Sequence, residues 1–224
     1  MAQRFILAAL AAAGLLAAPA AQAQGAGSLT VRVGVTQITP DTKSGNLTAP
    51  SFAGTKASVG ANTQPTAGLT WMWTNNIAFD LPLSAGFTHE ITGDGAIAGV
   101  GKIGEVKALP ATLFVEYRFG ATDAAVRPYV GAGPTYAKFY KARSTMALTG
   151  LTGGTPANPT TLSVQSKWTA SAKVGLAWKL APQWSLDTAV IYTPLKTRTT
   201  LSTGQTLDAT LDPTSVTLGV GYRF

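Results

Sequence analysis

The sequence contains no cysteine and only one histidine, His89, and 12% of its residues are Asp, Glu, Lys or Arg. Without cysteine the chain forms no disulfide bonds, so an exported protein of this composition must be held together in another way. A closed, hydrogen-bonded β-barrel meets that requirement. One histidine without cysteine also supplies no ligand set for a transition metal, and no metal or other cofactor is expected.

Long apolar runs are missing beyond the N-terminal segment. A membrane-spanning helix needs about 18 or more predominantly apolar residues in a row, and no segment after residue 23 approaches that length. This absence excludes a helical membrane protein. The chain could cross a bilayer only with β-strands.

Residues 1–23 have the pattern of a secretory signal peptide. Arg4 provides the positive charge, a mostly apolar run follows, and Ala21-Gln22-Ala23 is a small-x-small cleavage site. The remaining residues, 24–224, suit one domain, a β-barrel with an excess of basic residues. Because those residues are scattered and no recognition module is present, we expect them to contact outer-membrane lipid and lipopolysaccharide rather than nucleic acid.

The C-terminal stretch, residues 214–224, alternates strictly between two faces. Its apolar side chains on one parity are Val216, Leu218, Val220, Tyr222 and Phe224, and the other parity holds Thr217, Gly219, Gly221 and Arg223. A period of two is typical of a β-strand with one apolar face. Left unpaired, such a strand would recruit other chains, so it is predicted to close a barrel by pairing with the first strand.

Eight segments with this period can be placed in the sequence. They are residues 29–36, 65–74, 77–88, 109–119, 126–140, 164–180, 184–194 and 214–224. Long connections rich in Thr, Ser, Gly, Asn and Pro (40–64, 89–108, 141–163 and 195–213) alternate with short turns. The predicted fold is therefore all-β: an eight-stranded antiparallel up-and-down transmembrane β-barrel with four long outer loops and three short periplasmic turns.

Individual residues refine this prediction. Pro82 lies inside the third strand, where it has no N–H to donate, and predicts a bulge. Gly131 and Gly133 in the fifth strand would let neighbouring groups approach closely inside a narrow barrel. The lysines of the sixth strand share one parity, so that face is predicted to be the inside or an aqueous rim.

Aromatic residues gather at both ends of the predicted strands. One belt, beside the short turns and the C-terminus, comprises Trp71, Trp73, Tyr117, Phe119, Trp178, Trp184, Tyr222 and Phe224. A second group, toward the long loops, comprises Phe87, Tyr136, Phe139, Tyr140, Trp168 and Tyr192. Two such belts are expected at the two membrane interfaces, whereas a soluble lipocalin-type barrel, the alternative fold, has no reason for them.

Several motifs resemble the OmpW family of outer-membrane proteins. They are His89-Glu90-Ile91, GKIGEVKALPATL at 101–113, RPYVGAG at 127–133, Leu211-Asp212-Pro213 and the ending Gly221-Tyr222-Arg223-Phe224. The resemblance runs along nearly the whole mature chain, and the motifs are specific together and weak singly. Thr214 departs from the Trp usual in the family, and the loops hold less charge and more Thr, so loop-borne specificity does not transfer.

The resemblance implies a narrow, partly hydrophobic lumen that lets small apolar compounds cross the outer membrane, with two routes of exit left open, sideways through the wall or along the axis. It also implies a lumen constriction near Leu69 and Trp168, whereas the alternation of their strands places both residues on the outward face. Both placements stay open at this point. The terminal Phe224 is expected to be read by the barrel-assembly machinery.

Inward polar residues are predicted to brace the lumen. They are Asp80, Glu116, Arg118, Lys173 and Asp187. Charges on opposing strands of a barrel can pair and plug its polar centre. Since eight strands enclose room for side chains or one slim ligand, a wide aqueous pore is not expected.

Three functions follow as hypotheses. The first is a narrow channel for passive uptake or efflux of small hydrophobic molecules. The second is a structural or surface-interaction protein whose loops dock partners without transport. The third, a lipid enzyme using His89, is disfavoured because no Gly-x-Ser-x-Gly elbow occurs; His89 is expected to line the mouth, and the chain is not expected to be an enzyme.

Overall fold

The computed structural model describes residues 25–224, which form antiparallel strands almost throughout. The strands are β1 (Leu29–Thr39), β2 (Lys43–Ser44), β3 (Thr55–Val59), β4 (Asn62–Met72), β5 (Ile77–Ser84), β6 (Phe87–Gly95), β7 (Lys102–Thr112), β8 (Phe114–Arg118), β9 (Val126–Ser144), β10 (Leu162–Val164), β11 (Lys167–Lys179), β12 (Trp184–Tyr192), β13 (Lys196–Leu201), β14 (Thr206–Thr210) and β15 (Thr214–Arg223). A helix, α1 (Met146–Leu151), follows β9. The predicted signal peptide lies outside the described residues.

The strands join edge to edge into a closed barrel. Consecutive pieces form single wall strands (β1 with β2, β3 with β4, β5 with β6, β7 with β8, β10 with β11, β12 with β13 and β14 with β15), and β9 is a wall strand by itself. The last strand pairs with the first from Thr30↔Arg223 to Thr39↔Thr214. The predicted eight-stranded antiparallel barrel, closed by its first and last strands, is confirmed.

Apolar side chains face outward around this barrel and polar side chains face inward. In β15, Val216 and Leu218 are each 50% exposed, whereas Ser215, on the inward face of the same strand, is buried. Such a distribution suits a wall surrounded by hydrocarbon, because apolar groups lose nothing by facing lipid. None of the helices in residues 25–224 has the length and apolar character needed to span a membrane.

The four long connections are more ordered than predicted. Much of their length is strand: β2, β3, most of β7, β10, β13 and β14 lie in segments that were expected to be loops. The β-branched Thr residues that enrich these segments favour strands once a partner is available, and pairing satisfies their backbone groups. The barrel wall therefore continues beyond the apolar band at its outer end.

The bulge expected at Pro82 is absent from its pairing with β4. Pro82 sits opposite Gly68 in an unbroken register that runs from Thr66↔Ser84 to Met72↔Ala78. The pairing is interrupted instead on the other side of β5, where only Ile77 to Asp80 pair with β8. Shifts of register occur between Ile91 and Thr92 and between Glu105 and Lys107.

An apolar cluster fills the outer end of the barrel. Its buried members are Leu47, Ile97, Ile103, Leu148, Leu162, Leu201 and Leu207. Leu148 comes from α1, whose first turn is capped by the side chain of Thr145. We call this group the outer cap, since it packs over the space enclosed by the strands.

Candidate functional site

Charged side chains from opposite walls meet inside the barrel and form what we call the polar plug. Its members are Arg32 (β1), Asp80 (β5), Glu116 and Arg118 (β8), Lys173 (β11) and Asp187 (β12). Each projects inward because it alternates with outward apolar neighbours on its strand. All five polar residues predicted from the sequence lie in this plug, together with Arg32, which was not predicted.

The contacts of the plug form one continuous chain. Lys173 Nζ lies 2.6 Å from Asp80 Oδ2 and 2.6 Å from Glu116 Oε1. Arg118 Nη2 donates to Glu116 Oε2 at 2.8 Å. Arg32 lies 3.2 Å from Asp80 Oδ1. Because Lys173 joins carboxylates from two other wall strands, it is the central contact of the plug.

The chain of contacts ends at Asp187 and Tyr129. Arg32 Nη1 lies 3.4 Å from Asp187 Oδ1, and the Tyr129 hydroxyl donates to the same oxygen at 2.9 Å. Three cations thus face three carboxylates, with every one of these side chains buried. Buried charges persist only when they are paired and hydrogen-bonded, and this balance meets that condition. The plug therefore blocks the barrel axis.

Inward glycines make room for the plug. A Cβ added at Gly175 would lie 2.3 Å from Tyr129 Cζ and 2.6 Å from the carbonyl oxygen of Thr188. A Cβ at Gly68 would lie 2.7 Å from Arg32 Nη2. The large plug residues therefore occupy space that neighbouring strands leave empty, which is the packing expected in a small barrel.

Replacing Gly175 by valine is expected to displace the Tyr129 ring and break its hydrogen bond to Asp187. Overpacking of this kind costs about 1–3 kcal/mol of folding free energy. Urea unfolding of the protein in detergent micelles measures the loss as a lower midpoint. Ala172→Val is the matched control, since Ala172 faces outward on the same strand; an equal loss in both variants would show that inward space is not the cause.

An apolar cavity lies between the plug and the outer cap, and we call it the outer chamber. Inward side chains line it, among them Ile38, Val59, His89, Val106, Ala108, Ala137, Phe139, Leu195 and Leu211. Its volume is about 100 Å³. A smaller cavity within the outer cap shares Ala57, Ile91 and Leu207 with it, so apolar lining continues toward the outer end.

A second cavity, the inner chamber, continues from the outer chamber toward the plug. The two share Ile38, Pro110, Thr193 and Ser215 as lining residues. The inner chamber has a volume of about 60 Å³ and ends on Lys173 and Arg32. An apolar molecule that entered from the outside would therefore meet the charged plug at the bottom of the inner chamber.

The barrel wall is interrupted beside the inner chamber, and we call this interruption the wall gap. β5 pairs with β8 only from Ile77↔Tyr117 to Asp80↔Phe114, and pairing between β6 and β7 begins at Phe87↔Ala108. Between these points, residues 81–86 of one edge do not pair with residues 109–113 of the other. Pro82 and Pro110 stand on the two edges, and neither has an N–H to donate.

Both edges of the wall gap reach the inner chamber. Pro82, Leu83 and Ser84 line it from one edge and Pro110 from the other. Above the gap, the Tyr140 hydroxyl donates to the carbonyl oxygen of Ala85 at 3.0 Å. The lumen is therefore bounded here by side chains and not by a continuous hydrogen-bonded sheet.

The constriction implied for Leu69 and Trp168 is corrected by the structure. Leu69 is 36% exposed and points outward beside Trp71, and Trp168 is 71% exposed and packs on Tyr136 outside the barrel. No register shift reverses either strand at these positions. The apolar residues that narrow the lumen are instead those of the outer chamber.

Two members of the second aromatic group are also corrected. Phe87 is buried inside the barrel against His89, and Phe139 lines the outer chamber. Tyr136, Trp168 and Tyr192 do lie on the outer surface. Inward placement of the two Phe rings extends the apolar lining of the lumen.

The predicted belt beside the short turns lies on the outside of the barrel. Its rings contact one another within a strand, Tyr117 with Phe119 at 4.9 Å and Tyr222 with Phe224 at 4.9 Å between centroids, and across two strands, Trp184 with Tyr222 at 5.0 Å. Trp71 stacks on Phe79 at 5.9 Å, Trp73 lies close by, and Trp178 is half-buried. That these rings meet the membrane interface stays a prediction.

His89 lies deeper than a mouth residue. Its side chain is buried in the outer chamber, and Nδ1 lies 2.7 Å from the carbonyl oxygen of Gly60. This contact holds the ring between two wall strands. This contact is explained by a structural role of His89, which joins β6 to the start of β4.

Sequence reasoning missed Arg32 and Tyr129. Arg32 stands on the polar face of the first strand, so alternation alone could have placed it inside. The inward orientation of Tyr129 could not be predicted, because the strand that carries it is rich in glycine and has no clearly apolar face. Its partner Asp187 lies 58 residues away in the chain, a distance over which local patterns carry no information.

Comparisons with known proteins agree with this architecture. The model of the OmpW family matches residues 25–224. Outer membrane protein W of Vibrio cholerae is 32% identical over 202 residues, covering 88% of this chain and 89% of the relative. Outer membrane protein AlkL of Ectopseudomonas oleovorans is 26% identical over 182 residues, covering 80% and 74% respectively. The crystal structure of OprG from Pseudomonas aeruginosa gives a TM-score of 0.79 at 25% identity, covering 90% of this chain and 98% of that one.

Proposed function

The chain belongs to the OmpW family and is an outer-membrane β-barrel protein, and from that premise we propose that it conducts small hydrophobic molecules passively between the outside and the membrane interior. A molecule enters through the outer cap, occupies the outer and inner chambers, and leaves sideways through the wall gap. The plug prevents it from continuing along the barrel axis.

One observation carries this proposal: two connected chambers with largely apolar lining end on a charged plug beside a break in the wall. An apolar solute gains by leaving water for the outer chamber. It cannot displace paired, buried charges without leaving them unpaired, which is costly. The wall gap offers lower resistance, because no backbone ladder has to be broken there.

Two further proposals concern the ends of the chain. We propose that residues 1–23 are a cleaved signal peptide and that residues 24–224 form the mature barrel. We also propose that the barrel-assembly machinery reads Phe224, whose ring packs on Tyr222 at the outside of the last strand. Removal of that ring should slow assembly in cells without changing the folded barrel.

Filling the outer chamber tests the proposed transport. Ala137 is buried on β9 next to Leu195 and Leu211, so Ala137→Trp places an indole in the chamber. The indole narrows the space that a solute has to pass, and a passage barrier raised by about 1.4 kcal/mol or more lowers the uptake of an apolar fluorescent solute into proteoliposomes about tenfold or more. The uptake rate is measured against vesicles without protein.

Ala132→Trp provides the control, since Ala132 faces outward on the same strand and an added ring there meets lipid. Both variants should show the same strand content by circular dichroism. Wild-type vesicles that take up no more solute than empty vesicles would leave only the alternative, a structural or surface-interaction protein without transport.

A further inference from the structure

Three neighbouring wall strands carry an outward aromatic ring near their outer ends, and each ring has a lysine close to it in the sequence. The pairs are Tyr136 with Lys138 on β9, Trp168 with Lys167 on β11, and Tyr192 with Lys196 across β12 and β13. The Tyr136 and Trp168 rings lie 5.0 Å apart. Aromatic rings favour the membrane interface, and lysine side chains beside them extend into the headgroup region.

A groove opens on the outer surface above these rings, and we call it the basic groove. It crosses β11, β13, β14 and β2, and its charged lining residues are Lys43, Lys167, Lys196, Arg198 and Asp208. Its volume is about 540 Å³. Four cations and one carboxylate line the groove, so positive charge is in excess there.

Two of these charges neutralise each other. Arg198 donates hydrogen bonds of 2.6 and 2.7 Å to Asp208, and these bonds lower the pKa of the Asp208 carboxyl and keep it ionised. Lys43 lies 3.8 Å from Asp41, with both side chains exposed to water, where such pairs are weak. Within residues 25–224, no carboxylate lies within 4.0 Å of Lys167 or Lys196, although Lys167 interacts with Asp208 at longer range and also lowers the pKa of that carboxyl.

The opposite side of the outer barrel has no such excess. On β6 and β7, Lys102 lies 3.0 Å from Glu90 and 2.9 Å from Glu105. One lysine is thus shared by two carboxylates. On β6 and β7 the carboxylates Glu90, Asp94 and Glu105 outnumber Lys102 and Lys107, so this part of the outer surface lacks the positive excess of the groove.

We propose that the basic groove binds the phosphorylated headgroup of a glycolipid in the outer leaflet, the chemistry of lipopolysaccharide. Lys167 and Lys196 contact the phosphate oxygens, while the acyl chains lie on the apolar wall below the rings. The charged residues of the groove take no part in the proposed transport path, although two of its other lining residues, Thr197 and Ala209, also line the outer chamber. Binding of the lipid can therefore be measured apart from transport.

A lipid fits this surface better than a soluble anion does. Val174 and Val190 are exposed on the same wall strands, below Trp168 and Tyr192, and they offer apolar contact to acyl chains. A free phosphate would use only the cations of the groove. Both halves of an amphipathic ligand are matched only when ammonium groups, rings and apolar side chains follow one another along the strands.

Removing two groove lysines tests the site. The variant K167Q/K196Q keeps side-chain length and removes two charges from an exposed surface. Binding of purified bisphosphorylated lipid A to the protein in detergent is measured by native mass spectrometry over a lipid titration. Since each lysine near an anionic surface contributes about 1 kcal/mol, the affinity should fall about thirtyfold.

The variant K102Q/K107Q is the matched control. Lys102 and Lys107 both lie on β7, on the opposite side of the barrel, and their loss changes the net charge by the same amount. This control should keep its affinity within about twofold, because charges farther away than about 10 Å are screened by salt.

Three results would overturn the proposal. An equal fall in both double variants would mean that only the net charge matters. Unchanged affinity in K167Q/K196Q would place the lipid elsewhere. Dephosphorylated lipid A that binds as tightly as the bisphosphorylated form, or inorganic phosphate that displaces it at equal concentration, would exclude a site for a lipid phosphate.

Discussion

Replacing Lys173 by methionine is expected to destabilise the barrel by about 3–5 kcal/mol, or to prevent its assembly. Lys173 is 2% exposed, and its ammonium group lies 2.6 Å from both Asp80 and Glu116. Methionine has nearly the same length and fills the same space, so the loss is electrostatic and not a cavity. It leaves two buried carboxylates with one cation less between them.

The loss is measured as a lower urea midpoint in detergent micelles, with the same slope as the wild type. Lys179→Met is the control, because Lys179 is an exposed lysine at the end of the same strand and has no carboxylate within 4.0 Å among residues 25–224. The double variant K173M/E116Q removes one charge of each sign and should recover part of the lost stability. If it is no more stable than K173M, charge imbalance is not the cause.

The plug does not imply that ion pairs make the barrel more stable than an apolar core would. Burying six charges costs desolvation, which the pairing offsets only when every partner is present. The plug instead closes the barrel axis, because paired charges from opposite walls are groups that neither water nor an apolar molecule displaces easily. Removal of one charge should therefore lower stability, and it should also raise the ionic conductance of the barrel in planar bilayers.

Much of this architecture follows from alternation within single strands. The parity of β5, β8, β11 and β12 is enough to place Asp80, Glu116, Lys173 and Asp187 inside, because a strand turns every second side chain to the same face. The parity of β4 and β11 also turns Leu69 and Trp168 outward, where the structure has them. Local pattern was a better guide here than the resemblance to a family.

Features that depend on two distant segments were not predictable in the same way. The sequence around Pro82 predicts a disturbed strand, but the disturbance is the missing pairing with residues 109–113. The separation of two strands cannot be predicted from the sequence of either strand alone. Some strands in the Thr-rich connections read as loops because a partner is 32 or more residues away in sequence, as for β3 with β6 and β10 with β13. Pairing decides these cases, and pairing is not local.

Bridging the wall gap is expected to stop transport in a reversible way. The chain has no cysteine, so Leu83→Cys and Ala111→Cys introduce the only two thiols. Both positions face outward, and they would be opposite each other if the register of Asp80↔Phe114 continued. A cleavable bis-methanethiosulfonate reagent joins thiols across a wider space than a disulfide, whose Cα atoms must lie within about 7 Å.

Uptake of an apolar solute by proteoliposomes should fall to the rate of empty vesicles after cross-linking and should return after reduction. The cysteine pair Thr188→Cys and Leu218→Cys is the control, because these residues face each other across the intact seam of β12 and β15. That seam is already closed by hydrogen bonds, so a cross-link there should not change uptake.

The two experiments on transport separate the parts of the proposed path. If Ala137→Trp blocks uptake while the cross-linked gap does not, molecules occupy the outer chamber and leave along the axis, which requires the plug to open. If both block it, the path bends from the chamber into the wall. The second result is expected, because opening the axis would separate Lys173 from two carboxylates at once, whereas the edges of the gap share no backbone hydrogen bond to break.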